Sequence, residues 1–139
     1  MPSSAICDAS VAVRWLVDDP LSQVAIAARR QFDLKAPWLM MSETANALRN
    51  QVKAGFLPLD IARRHLEGLP RQIELRGEQD LMPLALTLAV QRDHAAYDCV
   101  YVAMALTLSV PLVTGDARLA RKFCDLPGLE MRTLQDWVI

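Results

Sequence analysis

Short apolar runs alternate with longer segments of helical periodicity along this 139-residue chain. Five runs predict strands or short extended segments: SSAIC, LKAPWLM, RQIELRG, VPLVTGD and LEMRT. Seven segments predict helices: SVAVRWLV, PLSQVAIAARRQF, SETANALRNQVKAG, LDIARRHLEG, EQDLMPLALTLAVQRD, AAYDCVYVAMAL and ARLARKFC. This alternation favours an α/β fold in which helices cover both faces of a parallel sheet.

Residues with strong terminal preferences set the predicted bounds of these helices. Ser10 and Asp60 are expected N-caps, and Gly55 is an expected helix end. Pro83 fits best in the first turn of its helix, where an N–H group is not needed. No repeat, low-complexity tract or linker divides the sequence, so residues 1–139 are interpreted as a single domain.

One carboxylate interrupts the most apolar of the predicted helices. Asp98 lies within AAYDCVYVAMAL, and an isolated buried carboxylate must protonate, pair with a base or bind a cation. Val102, one turn ahead, offers no partner. His94, one turn back, is a weak partner and is interpreted as a surface or helix-start residue. Asp98 is therefore expected either to reach water or to meet a positive charge supplied from elsewhere.

Composition limits the class of protein. Hydrophobic residues make up 53% of the sequence, enough for a sizeable core, and the net charge of −1 argues against a broad basic surface that grips nucleic acid. The three cysteines form no C-x-x-C pair and are expected to be reduced and packed. The start MPSSAICDAS lacks the pattern of a secretory leader, and no apolar run suits a bilayer, so a cytoplasmic location is expected.

Four acids fall at junctions between predicted elements. Asp8 follows the first strand and Asp116 the penultimate strand, while Glu43 and Asp98 lie near the starts of helices. Ligands of parallel sheets bind beyond the carboxyl ends of the strands, and a sheet could bring these acids to that edge. Gathered without a counter-charge they would repel, and Mg²⁺ or Mn²⁺ with its oxygen ligands removes that conflict. No His and Cys cluster offers a zinc site instead.

Each acid alone also has an ordinary structural interpretation. Asp8 is compatible with a turn or N-cap residue, and Asp116 with the cap of the following helix. Glu43 lies opposite the apolar stripe of its helix and is compatible with a solvated face. Asp98 is the hardest to explain in this way because its neighbours are apolar. The metal hypothesis therefore depends on the set of four rather than on any one member.

Four sequence blocks resemble those of the PIN-domain family, and more narrowly those of VapC-type toxin ribonucleases of toxin–antitoxin pairs. The blocks are ICDASVAVRWLVDD, SETANALRN, YDCVYVAMA and LVTGDARLA, in the family's order and over nearly the whole chain. One block alone is weakly specific, whereas four in order, each with its acid, are fairly specific. Cys99 stands where alanine is common and Gly115 where several residues occur, and neither departure removes an acid.

The resemblance implies a fold, a site and an activity. The fold would be a PIN-like three-layer arrangement with a central parallel sheet of about five strands. The catalytic and metal-binding acids would be Asp8, Glu43, Asp98 and Asp116, and their polar companions Ser10, Asn46 and Thr114. The activity would be Mg²⁺- or Mn²⁺-dependent hydrolysis of phosphodiester bonds in RNA, through one or two bound cations.

The resemblance also implies partners, namely a second copy of the chain in a homodimer and a small antitoxin protein that lays an apolar or helical segment into a groove. Single-stranded RNA is the favoured substrate, because its splayed bases can be read. Six basic residues near the matched blocks are candidate phosphate contacts, although each also suits an ordinary charged surface: Arg14, Arg49, Lys53, Arg118, Arg121 and Lys122. Tyr97 and Tyr101 are candidates for base stacking, with core packing as the commoner role.

Three other hypotheses compete with this one. A catalytically silent PIN-type RNA-binding or scaffold module would not need all four acids. A PIN-like DNA nuclease would usually carry extra acids and longer insertions, which this chain lacks. A phosphoacceptor receiver domain would need an acidic pair after the first strand and a lysine after the last, and ICDAS and LEMRT supply neither.

Overall fold

Five parallel strands form one sheet in the structure, a computed structural model that describes residues 2–139. The strands are β1 (Ser3–Cys7), β2 (Phe32–Pro37), β3 (Glu74–Arg76), β4 (Leu112–Thr114) and β5 (Met131–Thr133). Their order across the sheet is β3-β2-β1-β4-β5, and every neighbouring pair is parallel. The predicted α/β fold with a five-stranded parallel sheet is confirmed.

Within the described range, seven α-helices form the connections between these strands. They are α1 (Ala9–Leu16), α2 (Ser22–Gln31), α3 (Leu39–Lys53), α4 (Leu59–Gly68), α5 (Met82–Arg92), α6 (Ala96–Leu108) and α7 (Ala117–Phe123). Short 3₁₀ turns follow α4 at Leu69–Arg71 and precede α5 at Gln79–Leu81. Helices α1 and α3 pack together, as do α5 and α6, and α6 also packs on β1 and β2.

Both faces of the sheet are covered. Ala5, Ile6 and Cys7 are consecutive in β1 and fully buried, and the three residues of β4 are also buried. Successive side chains of a strand point to opposite faces, so burial of consecutive residues requires cover on both sides. Helix α6 is itself central, since every residue from Cys99 to Ala105 is buried.

The strand order places a topological switch point beside β1. The chain leaves β1 for β2 and β3 on one side, then returns to β4 and β5 on the other. In open parallel sheets such a reversal leaves a crevice at the carboxyl ends of the two central strands. Here the residues in that position are those that follow Cys7 and Thr114.

Several predicted helix boundaries are wrong by a few residues. Helix α1 begins at Ala9, so its N-cap is Asp8 rather than Ser10, and Asp60 lies inside the first turn of a helix capped by Pro58. The extended segment around β2 ends at Pro37, and the chain enters α3 three residues before the predicted start. Gly55 does follow the end of α3, with a φ of 83° that glycine adopts without strain.

The structure also tests the predictions for the cysteines and for membrane-spanning helices. All three cysteines are free, as expected, with Cys7 and Cys99 buried. Cys124 is exposed, so the prediction that all three are packed is wrong for this residue, which follows the end of α7. No helix in residues 2–139 is both long and apolar enough to cross a bilayer.

Candidate active site

Asp8 is a buried acid that joins the ends of β1 and β4. It directly follows β1 and is 6% exposed. Its Oδ1 accepts hydrogen bonds from the N–H and the hydroxyl of Ser10, which fixes the start of α1. Its Oδ2 accepts a hydrogen bond from the hydroxyl of Thr114 at 2.5 Å. The carboxylate is therefore held on both oxygens by neutral groups, one from the start of α1 and one from the end of β4.

The same hydroxyl groups orient the turn that carries Asp116. Thr114 Oγ1 accepts the N–H of Asp116 at 2.9 Å, and Ser10 Oγ accepts the N–H of Gly115 at 2.8 Å. Asp116 then caps α7, because its Oδ1 accepts the N–H groups of Arg118 and Leu119 at 2.9 and 3.2 Å. Its Oδ2 has no hydrogen-bond partner among residues 2–139. Asp116 thus does both things that the sequence allowed: it caps α7, and it lies near Asp8 through the shared contact with Thr114.

Gly115 is required by the close approach of an arginine. A Cβ at this position would lie 2.4 Å from Nη1 of Arg14 and 3.1 Å from Cδ1 of Leu134. Arg14 is not free to move aside, since its Nη1 donates to the carbonyl of Ser10 at 2.7 Å and its Nε to Asp19 at 2.8 Å. The glycine therefore allows α1 to pack tightly against the β4 turn.

Glu43 reaches the site from the first turns of α3. Its Oε1 accepts a hydrogen bond from the hydroxyl of Tyr101 at 2.5 Å. Tyr101 is 1% exposed on α6, one turn after Asp98, so this bond brings Glu43 close to Asp98. The alternative interpretation of Glu43 as part of a solvated face does not hold, because the side chain is half-buried and bonds to α6.

Asp98 contacts the histidine that precedes α6. Nε2 of His94 lies 2.8 Å from Oδ2 of Asp98, and the two side chains are 4% and 24% exposed. The side chain of His94 is therefore not at the surface, but the residue does lie at the start of α6, so the sequence prediction for it holds in part. Its Nδ1 is buried without a hydrogen-bond partner in residues 2–139, a situation that costs about 1–3 kcal/mol.

The four acids act on one another electrostatically. Burial, and then the charges of Asp116 and Asp98, raise the pKa of Asp8 to about 6, although the bonds from Ser10 and Thr114 oppose the rise. Burial likewise raises the pKa of Glu43 to about 7, with contributions from the charges of Asp98 and Asp8 and opposition from the Tyr101 hydrogen bond. The pKa of Tyr101 is raised well above its usual range by burial and by Glu43, so it stays a neutral donor.

Neither lysine nor arginine neutralises this group. In residues 2–139 no Lys or Arg forms an ion pair with Asp8, Glu43, Asp98 or Asp116. The same part of the chain holds no three Asp, Glu, His or Cys side chains already arranged to hold a metal ion. The four acids are thus mutually repelling neighbours held by protein donors, and they do not form a closed cage.

The family assignment follows from comparison with known proteins. The family model described as PIN domain matches residues 5–123. The chain belongs to the PIN-domain family. This PIN domain is 32% identical over 125 residues to the protein named Ribonuclease VapC1 of Mycobacterium tuberculosis, covering 89% of this chain and 91% of the relative.

Solved structures resemble this PIN domain over almost its full length. PAE2754 from Pyrobaculum aerophilum aligns with a TM-score of 0.70 and 25% identity, covering 94% of this chain and 92% of that one. A chain of VapBC2 from Rickettsia felis, solved bound to a DNA fragment from their promoter, aligns with a TM-score of 0.68 and 10% identity, covering 97% and 99%. The second likeness supports the fold alone.

The predicted polar companions of the PIN acids differ in their placement. Ser10 and Thr114 both bond directly to Asp8. Asn46 lies on the exposed side of α3 and makes no hydrogen bond to the four acids within the described residues. Sequence reasoning considered His94 only as a weak partner of Asp98, and it did not predict the bond from Tyr101 to Glu43. Their spacing of one helical turn from Asp98 was the available signal.

The predicted basic residues divide into two that are bound to other elements of the fold and four that are exposed. Arg14 is tied to Asp19 and Ser10, and Nζ of Lys122 donates to the carbonyls of Arg92 and Asp93 at 3.1 Å, so both have structural partners. The other four have exposed side chains: Arg49, Lys53, Arg118 and Arg121. The second group is therefore accessible at the surface.

Proposed function

We propose that this PIN-domain protein is a divalent-cation-dependent endoribonuclease and the toxin of a toxin–antitoxin pair. Its Mycobacterium tuberculosis relative carries the name ribonuclease, and this chain covers 91% of that protein. The structural observation that carries the proposal is the group of four acids, free of Lys and Arg partners in residues 2–139, beside the switch point of the sheet. Carboxylates grouped in this way, together with a substrate phosphate, can bind a divalent cation.

The donor set fits Mg²⁺ or Mn²⁺, because all four groups supply oxygen atoms. A bound cation would stabilise the charged carboxylates and would therefore lower the pKa values of Asp8 and Glu43, which burial and neighbouring charges raise. Asp8 and Asp98 would hold it directly, with Glu43 and Asp116 acting directly or through water.

When bound, the cation lowers the pKa of a water molecule and stabilises negative charge on the phosphate. The chain's own residues keep the acids in place for this chemistry. Ser10 and Thr114 hold the carboxylate of Asp8 at the floor of the site. Asp116 keeps Oδ2 available because only Oδ1 is used to cap α7. The neutral hydroxyl of Tyr101 orients Glu43 without removing its charge.

The substrate proposed for this site is single-stranded RNA. Arg118 and Arg121 are exposed on α7, the helix that Asp116 caps, and they offer positive charge beside the acids. Tyr97, adjacent to Asp98, is 57% exposed and available to stack on a base. Tyr101 is excluded from that role by its burial.

An apolar groove between α3 and α4 is the candidate surface for the antitoxin. Its apolar lining consists of Ala45, Leu48, Val52, Leu59, Ala62 and Leu66, and its basic residues are Arg49, Lys53 and Arg63. This combination suits an amphipathic helix that carries acidic residues beside its apolar face. In that case Arg49 and Lys53 can bind acidic residues of the protein partner as well as phosphates of RNA. For the proposed homodimer, Met82, Leu86 and Val90 form an exposed apolar stripe on α5.

The test compares wild type with Asp98→Asn on a mixed pool of RNA and on matched DNA strands, with Mg²⁺, Mn²⁺ or EDTA. We expect cation-dependent cleavage of RNA by wild type and loss of cleavage in the variant. Asp93→Asn is the matched control, because Asp93 is exposed and its left-handed backbone (φ 51°) suits asparagine equally well. Cleavage that survives EDTA or Asp98→Asn contradicts the proposal, and cleavage of DNA alone selects the DNA-nuclease hypothesis.

A further inference from the structure

His94 is a buried histidine with a hydrogen-bond partner for only one of its two ring nitrogens. Its side chain is 4% exposed, and Nε2 lies 2.8 Å from Oδ2 of Asp98. A carboxylate only accepts hydrogen bonds, so Nε2 carries the hydrogen. Nδ1 is buried and has no partner in residues 2–139. A histidine retained for packing alone would gain nothing from this arrangement, since an apolar side chain would leave no unpaired nitrogen.

The surrounding elements hold the imidazole in place. The ring packs edge-on against Phe123 of α7, with centroids 5.8 Å apart and planes at 84°. The chain turns sharply before it, because Asp93 adopts φ 51°, and the N–H of His94 donates to the carbonyl of Ala89 at 3.1 Å. Nζ of Lys122 on α7 binds the carbonyl of Asp93. Two helices and a rigid turn therefore fix the direction of the Nε2–H group.

The consequence concerns the orientation of one acid. Oδ2 of Asp98 is occupied by His94, whereas Oδ1 has no hydrogen-bond partner in residues 2–139. We infer that His94 is a positioning residue that holds the Asp98 carboxylate by Oδ2 and leaves Oδ1 for the divalent cation. This inference rests on the proposed function. It assigns a role to a residue that would touch neither cation nor substrate.

The test measures Mn²⁺ affinity by calorimetry in wild type, His94→Leu, His94→Phe and His94→Gln. Leucine and phenylalanine fill the buried space without a donor, and we expect them to weaken Mn²⁺ binding about 10- to 100-fold, as is usual for lost partners of metal ligands. Glutamine places an amide N–H near the Nε2 position and is expected to retain most of the affinity. Urea unfolding in EDTA should show the apolar variants to be at least as stable as wild type, because they remove the unpaired Nδ1.

Several outcomes would overturn the inference. Wild-type affinity in the leucine or phenylalanine variant shows that the donor is not needed, and a glutamine variant as weak as leucine shows that ring shape matters instead. Nitrogen-15 NMR of the wild-type imidazole needs no variant, and a hydrogen on Nδ1 with a bare Nε2 would also contradict the proposed bond. If wild type and Asp98→Asn bind Mn²⁺ equally, the proposed cation site itself fails, which is a distinguishable result.

Discussion

Replacement of Glu43 by glutamine should stabilise the cation-free protein at neutral and mildly alkaline pH. The substitution removes the charge but keeps an oxygen that can accept the hydrogen bond from Tyr101. Folding raises the pKa of Glu43 from 4.5 to about 7, with burial as the largest cause. The folded state therefore prefers the protonated form, and ionisation of Glu43 works against folding.

The size and sign of the effect follow from linkage. A rise from 4.5 to about 7 corresponds to about 3 kcal/mol of lost stability above pH 7, at about 1.4 kcal/mol per pKa unit. Because the carboxyl is only half-buried, screening reduces this, and about 1–2 kcal/mol is the expected gain in Glu43→Gln. The stability of wild type should fall as pH rises from about 4.5 through about 7, and the variant should lose that part of the dependence.

The assay is urea unfolding followed by circular dichroism, at about pH 5 and about pH 8, in EDTA and in Mg²⁺. At the lower pH the two proteins should differ by less than about 1 kcal/mol, since Glu43 is then largely protonated when folded. Mg²⁺ should stabilise wild type more than the variant, because the variant lacks one of the acids proposed to hold it. The advantage of Glu43→Gln should therefore shrink or reverse when the cation is added.

A matched control separates this effect from a general loss of negative charge. Glu67 is exposed on α4 and forms no hydrogen bond or ion pair in residues 2–139, so Glu67→Gln should change stability by less than about 0.5 kcal/mol at either pH. A Glu43→Gln variant that is less stable than wild type at about pH 8 in EDTA would refute the reasoning. It would mean that the charged form of Glu43 helps to hold α3 against α6.

Two further pairs of substitutions test the packing of the site. Gly115→Ala should cost about 1–3 kcal/mol in urea unfolding, because its Cβ would lie 2.4 Å from Arg14, whereas Gly77→Ala, with nothing within 4 Å, should be nearly neutral. Thr114→Val should cost about 1–3 kcal/mol and weaken Mn²⁺ binding, since it removes the hydroxyl that binds a buried carboxylate. Thr44→Val should be neutral or stabilising, because that hydroxyl is buried without a partner in residues 2–139; equal losses from both threonines would contradict the assigned roles.

The fold was predictable because its signals are local. Buried strands such as β1 and β4 are short apolar runs, and Asp8 and Asp116 lie within two residues of their ends. The start of α3 was missed for a physical reason. The N–H groups of Trp38 and Leu39 are accepted by the carboxylate of Glu78, at 3.2 and 3.0 Å. Because the capping residue is 39 or 40 positions away in sequence, no capping signal is present in the residues next to the helix start.

The candidate site was predictable in part for similar reasons. The acids are visible because each one interrupts or ends a regular pattern, as Asp98 does within α6. Among the groups that hold them, the family resemblance pointed to Ser10 and Thr114, whereas Tyr101 is an ordinary core residue by sequence. Tyr101 lies one turn from Asp98 yet bonds to Glu43 of another helix, and that choice depends on how α3 and α6 pack. Local spacing can suggest such partners but cannot decide between them.

These partners explain how four acids can lie close together before any cation arrives. The neutral hydroxyls of Ser10 and Thr114 stabilise the carboxylate of Asp8, and that of Tyr101 stabilises Glu43, without adding a permanent positive charge. A lysine or arginine in the same places would hold the acids more tightly and would compete with a cation for them. The raised pKa values of Asp8 and Glu43 reflect burial and repulsion that the neutral donors do not fully offset, and the proposed cation would relieve both.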